Sequence, residues 1–281
     1  MRPTGSAMTR LSSRLPALVA NGSRGLIPFL TAGDPDLEVT ARLVREFERL
    51  GVAAIELGVP FTDPLADGPT IQASSERALA SGTTLERVFQ LVANLRADQP
   101  TNPPASVPIV LMTYYNPMLQ YGLERFAARC AECGVDGIIA TDLPPEEAAP
   151  WVHAARQHEV DTVFLLAPTS TDERVRNVGR LATGFVYCVA RLGVTGVRQT
   201  VPADLGALID RIRPHTDQPI AAGFGFSTPE QIRQVLAETN LNAVVVGSAI
   251  VQRMTEVEVR TDAGLRAVCD FVRTLQAATA D

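Results

Sequence analysis

Short apolar runs alternate with longer amphipathic stretches eight times along this chain of 281 residues. The runs at 26–31, 52–57, 108–114, 135–141, 161–166, 185–189, 219–222 and 243–246 predict buried strands. Helix start signals stand between them: Asp36 before Leu37, Thr84 before Leu85, Thr171-Asp172 before Glu173, and Ser227-Thr228-Pro229-Glu230. Strands alternating with helices imply a parallel sheet with crossover helices. Eight such units imply closure into an α/β fold of the (β/α)8 TIM-barrel type, with an open doubly wound sheet as the alternative. The length suits one domain over 1–281, divided into an N-terminal extension at 1–25, a barrel core at 26–254 and a C-terminal helix at 255–281.

The two ends carry their own patterns. Residues 1–33 hold no Asp or Glu but include Arg2, Arg10, Arg14 and Arg24 with several serines, as an organelle transit peptide does. Leu11, Leu15 and Leu18 recur at helical spacing instead, as a helix closing the barrel bottom requires. Met1 and Met8 are both candidate starts. At the other end Leu265, Val268, Cys269, Val272 and Leu275 predict a last outer helix over 257–277. No stretch approaches the roughly 18 continuous apolar residues of a membrane span, so no membrane association is expected.

In a barrel of this kind the functional residues collect on the loops after the strands. Glu56 ends the second apolar run, and a Pro/Gly-rich loop then carries Asp67 back within reach of it. Two acids in unlike settings suggest acid–base chemistry. Glycine turns follow the last three strands, at Gly193-Val194-Thr195-Gly196, Gly223-Phe224-Gly225 and Gly247-Ser248. Glycine lets the backbone approach a ligand closely, and a following helix N-terminus offers free N–H groups to an anion, so this end of the barrel reads as a phosphate site.

Composition narrows the chemistry. The chain contains no lysine, which excludes Schiff-base catalysis by its own side chains. His153, His158 and His215 fall in helices or just beyond one, away from the strand ends, and no metal site is expected. Cys130 and Cys133 form a C-x-x-C inside a helical pattern without a second ligand pair, and with Cys188 and Cys269 they read as free thiols of a reducing, cytoplasmic compartment. Net charge is −6 and the arginines are scattered, so nucleic-acid binding is not expected.

Three segments resemble the α subunit of tryptophan synthase: 28–35 (PFLTAGDP), 56–72 (ELGVPFTDPLADGPTIQ) and 191–196 (RLGVTG), within a similarity running over 26–254. The resemblance implies retro-aldol cleavage of indole-3-glycerol phosphate to indole and glyceraldehyde 3-phosphate, without a cofactor in this chain. It implies an αββα complex in which indole passes to a β subunit that carries pyridoxal phosphate. Glu56 matches the proton-shuttling glutamate, and Asp67 the aspartate that accepts the indole N–H. Tyr187 matches a tyrosine near the glutamate, and Thr195 a loop threonine that bonds the aspartate on closure. Gly196, Gly225, Gly247 and Ser248 match phosphate-binding positions. Phe29, Thr141, Leu165 and Phe224 fall where the family lines its indole pocket, although Phe29 and Leu165 also suit plain barrel core. Asp63, Asn116 and Pro144 match interface regions.

Thr62, Ala190 and Phe226 depart from the family's usual Ser, Ser and smaller aliphatic residue, and none of the three removes a catalytic group. Two other functions remain open on the same residues. A glycosidase also uses two carboxylates, although aromatic residues are only 5% of the chain. A non-catalytic activator of a partner subunit needs neither acid.

Overall fold

The computed structural model describes residues 9–97, 106–189 and 203–280. Eight parallel strands form a closed barrel in sequence order: β1 Gly25–Thr31, β2 Ile55–Gly58, β3 Ile109–Thr113, β4 Gly137–Ala140, β5 Asp161–Leu166, β6 Val186–Val189, β7 Ile220–Gly223 and β8 Ala243–Val246. β1 closes the ring against β8 by pairing Leu26 with Val244 and Pro28 with Val246. The open doubly wound alternative is thereby excluded.

The helices are α1 Arg10–Ala20, α2 Leu37–Arg49, α3 Pro69–Ala80, α4 Leu85–Ala97, α5 Tyr115–Tyr121, α6 Leu123–Cys133, α7 Ala149–Gln157, α8 Asp172–Leu181, α9 Ala203–Ile212, α10 Pro229–Glu238, α11 Ser248–Glu256 and α12 Asp262–Ala277. Asp36 caps α2, Thr171 caps α8 and Thr228 caps α10, each accepting a backbone N–H from the first turn. The C-terminal helix begins at Asp262, later than the pattern over 257–277 predicts. Val257 is extended and Thr261 accepts the Gly264 N–H, which restarts the helix five residues downstream. None of the helices is long and apolar enough to cross a membrane among the described residues.

Two packed layers result. One apolar cluster fills the space between sheet and helices and contains Leu43, Phe47, Phe89, Phe126, Trp151 and Val272. The other fills the barrel, with Ile27, Val110, Ile139, Val163, Ala221 and Val245 from six strands and Ala54 and Phe185 from the residues just before β2 and β6. Leu11 and Leu15 of α1 join the inner cluster, so the N-terminal helix closes the barrel bottom. Close packing demands a small neighbour there: a Cβ on Gly184 would lie 2.7 Å from Leu11 Cδ2. Polar bonds fix the helix in place. Arg10 Nη1 donates to buried Asp136 at 3.1 Å, beside the 2.7 Å bond from Arg96 Nη2, and Thr9 donates to Asp161. This polar floor leaves the opposite, C-terminal end free for chemistry.

Candidate active site at the C-terminal mouth

Glu56 lies on β2, one residue below Leu57 and opposite Phe29 of β1 in the strand register. Side chains alternate along a strand, and the position of Ala54 in the inner cluster places Glu56 inside the barrel two residues higher. Its side chain is 1% exposed, and its Oε2 has no hydrogen-bond partner among the described residues. Burial without a compensating donor pushes its carboxyl up to about 8, and the negative charge of Asp67 adds to the effect. At neutral pH Glu56 therefore keeps its proton.

Asp67 sits in a different setting. The loop after β2 brings it to the mouth, where Asp67 N–H donates to Pro64 O at 3.1 Å and Gln72 Nε2 donates to Asp67 O at 2.9 Å. Partial burial raises its carboxyl above the ordinary range, and the Tyr114 hydroxyl offsets part of that rise. Glu56 has no such offset. The two acids are thus held apart in protonation by their surroundings.

The aromatic walls are set by glycines. A Cβ on Gly58 would lie 2.7 Å from Phe29 Cζ, and one on Gly223 would lie 2.5 Å from the Tyr187 hydroxyl. Any larger residue would displace the ring. Tyr187 is buried, and desolvation, followed by the charge of Glu56, holds its phenol well above the ordinary range. Leu165 pairs with Tyr187 in register and packs on the inner cluster. Thr141 follows β4, with its N–H on Thr113 O at 2.9 Å. Phe224 instead packs in the outer cluster against Phe226, with ring centroids 6.2 Å apart. Phe29, Glu56, Asp67, Tyr187 and Leu165 are thus brought to one end of the barrel. Thr195 and Gly196 lie outside the described residues, as do Met1, Met8 and Ala190.

The two helices after the last glycine turns differ in what they offer an anion. Thr228 and Gln231 form a capping box on α10, and Gln231 Oε1 also accepts the Ser227 N–H at 2.8 Å, so the donors at that helix start are already used. α11 begins behind Gly247, which has no side chain to cap it. No side chain caps its first turn, and the Ile250 N–H is the first to bond back, to Gly247 O at 2.9 Å, which leaves the Ser248 and Ala249 N–H groups for an anion. Gly225 adopts φ +73°, a left-handed turn that suits glycine.

Tyr114 is the residue that the sequence reading missed. Val110 and Met112 of β3 pack in or on the inner cluster, and continued alternation carries Tyr114 to the mouth on the same side. That period was visible in the sequence. The histidines stay away from the mouth, with His153 in α7, His158 at its end bonded to Glu124 at 2.7 Å, and His215 in a short turn before β7. Cys130 and Cys133 are buried, free thiols on α6, and burial pushes Cys133 up to about 11.

A closed (β/α)8 barrel holding two unlike carboxyls at its C-terminal mouth is the architecture of an acid–base enzyme. A family profile described as tryptophan synthase alpha chain matches residues 15–280, and the chain belongs to that family. The tryptophan synthase alpha chain of Geobacter sulfurreducens is 47% identical over 274 residues, covering 96% of this chain and 99% of its own. That of Citrifermentans bemidjiense is 49% identical over 245 residues, covering 87% and 89%. Among solved structures, tryptophan synthase subunit alpha from Legionella pneumophila superposes with a TM-score of 0.86 at 34% identity, covering 97% of this chain and 99% of that one. A chain of the tryptophan synthase a2b2 complex from Pyrococcus furiosus gives 0.81 at 39% identity, with 91% and 99% covered. Membership makes the chain a lyase of tryptophan synthesis and sets aside the glycosidase alternative.

Proposed function

We propose that this chain cleaves indole-3-glycerol phosphate to indole and glyceraldehyde 3-phosphate and hands the indole to a β subunit. The observation that carries the proposal is the buried Glu56, its Oε2 without a partner among the described residues, at the same barrel mouth as the partly solvated Asp67. Glu56 delivers its proton to indole C3, which leaves positive charge on the ring nitrogen. Asp67 accepts the indole N–H and stabilises that charge. The Glu56 carboxylate then removes the proton of the hydroxyl on the carbon attached to C3. As that hydroxyl becomes an aldehyde, the carbon–carbon electron pair returns to the ring as the C2–C3 double bond, and the nitrogen regains its lone pair. Glu56 ends protonated, ready for the next turnover.

In this reading the phosphate rests on Gly196, Gly225 and the Gly247–Ser248 start of α11. Phe29, Thr141, Leu165 and Tyr187 hold the indole and the glycerol chain, while Phe224, packed outward on Phe226, backs the wall behind them. Thr195 closes onto Asp67. The chain works as one domain over 1–281 in the cytoplasm, in keeping with its free thiols.

The β subunit is the expected partner and the carrier of pyridoxal phosphate. Exposed Leu65, at 78%, lies near Asp63 on the loop after β2, and exposed Leu119, at 48%, lies one turn from Asn116 on α5, and together they give that partner apolar contacts. The test is indole release from indole-3-glycerol phosphate by the chain alone and with a β subunit. Slow release that rises on addition of the β subunit is expected, whereas no release under either condition overturns the proposal. An unchanged fast rate assigns a stand-alone lyase.

A further inference from the structure

We propose that Tyr114 is the positioning residue of Asp67, a clamp that fixes the carboxylate's direction by tying the loop after β2 to the tip of β3. The proposal rests on the assignment of Asp67 to the indole N–H and adds the group that aims it.

The geometry converges on one side chain. Tyr114 is 5% exposed at the end of β3. Its hydroxyl accepts the Ala66 N–H at 2.9 Å, which places the phenol beside the next residue, Asp67, where its polar O–H favours the ionised carboxylate. Its ring stacks on Phe61, with centroids 5.0 Å apart and planes at 29°. The start of the loop, at Phe61, and its end, at Ala66 and Asp67, therefore lean on the same residue.

The remaining bonds at this end of the loop act on the main chain only. Gln72 Nε2 donates to Asp67 O and to Pro64 O, at 2.9 and 3.3 Å, and Asp67 N–H donates to Pro64 O. They hold the loop's path without setting where the carboxylate points. Asp67 is faced by the Glu56 carboxyl from β2 and by the Tyr114 phenol, while Asp63 on its own loop is exposed. No arginine is bonded to Asp67 among the described residues, and a neutral phenol can hold the carboxylate without cancelling its charge. An arginine in the same place would neutralise the anion that the indole cation needs.

Tyr114→Phe keeps the ring and removes only the oxygen. Losing a hydrogen bond to a charged group is expected to lower kcat about 10–100-fold. KM for indole-3-glycerol phosphate should stay within about twofold, because the phosphate is held elsewhere. The acid limb of the kcat–pH profile should move to higher pH, since Asp67 loses the donor that favours its ionised form. In an Asp67→Asn background the same substitution should cost little more, as expected of two residues acting as one unit.

A Tyr114→Phe enzyme with wild-type kcat and an unmoved acid limb overturns the proposal. So does a rise in KM alone. Wild-type kcat in Asp67→Asn would overturn the underlying assignment of Asp67 instead, which separates the two failures.

Discussion

Phe29 and Glu56 are direct partners in the β1–β2 register, and the Phe29 ring is held over that layer by Gly58 and by Gly247, whose added Cβ would lie 3.3 Å from Phe29 Cβ. An aromatic ring at this place keeps water from the carboxyl. Desolvation is the leading cause of the rise to about 8, so Phe29 is one source of the proton that Glu56 carries at neutral pH. Phe29→Ala should admit water and lower the Glu56 pKa. The alkaline limb of kcat/KM, expected near 8 in the free enzyme, should then move to lower pH. A limb that stays in place would show that other walls keep Glu56 dry.

The same burial has a cost for folding. In the unfolded chain Glu56 ionises near its ordinary 4.5, whereas in the fold it holds its proton to about 8. Between those values the folded state binds more protons than the unfolded one, so stability falls as pH rises through the window. The penalty is absent below about 4.5 and complete above about 8. Glu56→Gln avoids it, and the shift converts to a gain on the order of 3–5 kcal/mol above pH 8. Urea unfolding of both proteins at pH 5 and pH 9 measures this, and an equal difference at the two pH values would contradict it.

Gly225→Val and Gly247→Val should weaken the phosphate end of the site. At Gly225 the φ of +73° strains a β-branched residue. At Gly247 a side chain crowds Phe29 and covers the free start of α11. Affinity for glyceraldehyde 3-phosphate, read by calorimetry, should fall in both. Thr228→Ala, which disturbs the already capped α10, should leave it unchanged, apart from about 1 kcal/mol of stability.

Much of this was legible in the sequence because barrel strands buried on both faces are short apolar runs, and all eight were in place to within a few residues. The place of Glu56 in the barrel was legible for a related reason, as the carboxylate within such a run, whereas Asp67 is delivered by the loop that follows it. The break between α11 and α12 was less visible, because Val257 and Val259 continue the apolar pattern while the backbone turns and waits for the Thr261 cap. Phe224 follows β7 as expected but packs outward on Phe226, since the left-handed Gly225 between them redirects the chain. Tyr114 read as the last residue of a strand. Its role depends on a loop that returns from the neighbouring strand, a long-range contact that no local pattern encodes.

The central claim is that one carboxyl, Glu56, both gives and takes the proton of the cleavage. Single-turnover cleavage of indole-3-glycerol phosphate by Glu56→Gln, followed as indole release, tests it most directly. The amide fills the same space and keeps the fold but cannot exchange a proton. The rate should fall by at least about 10²–10⁴-fold while glyceraldehyde 3-phosphate still binds. Cleavage within a few fold of wild type would contradict the assignment of Glu56.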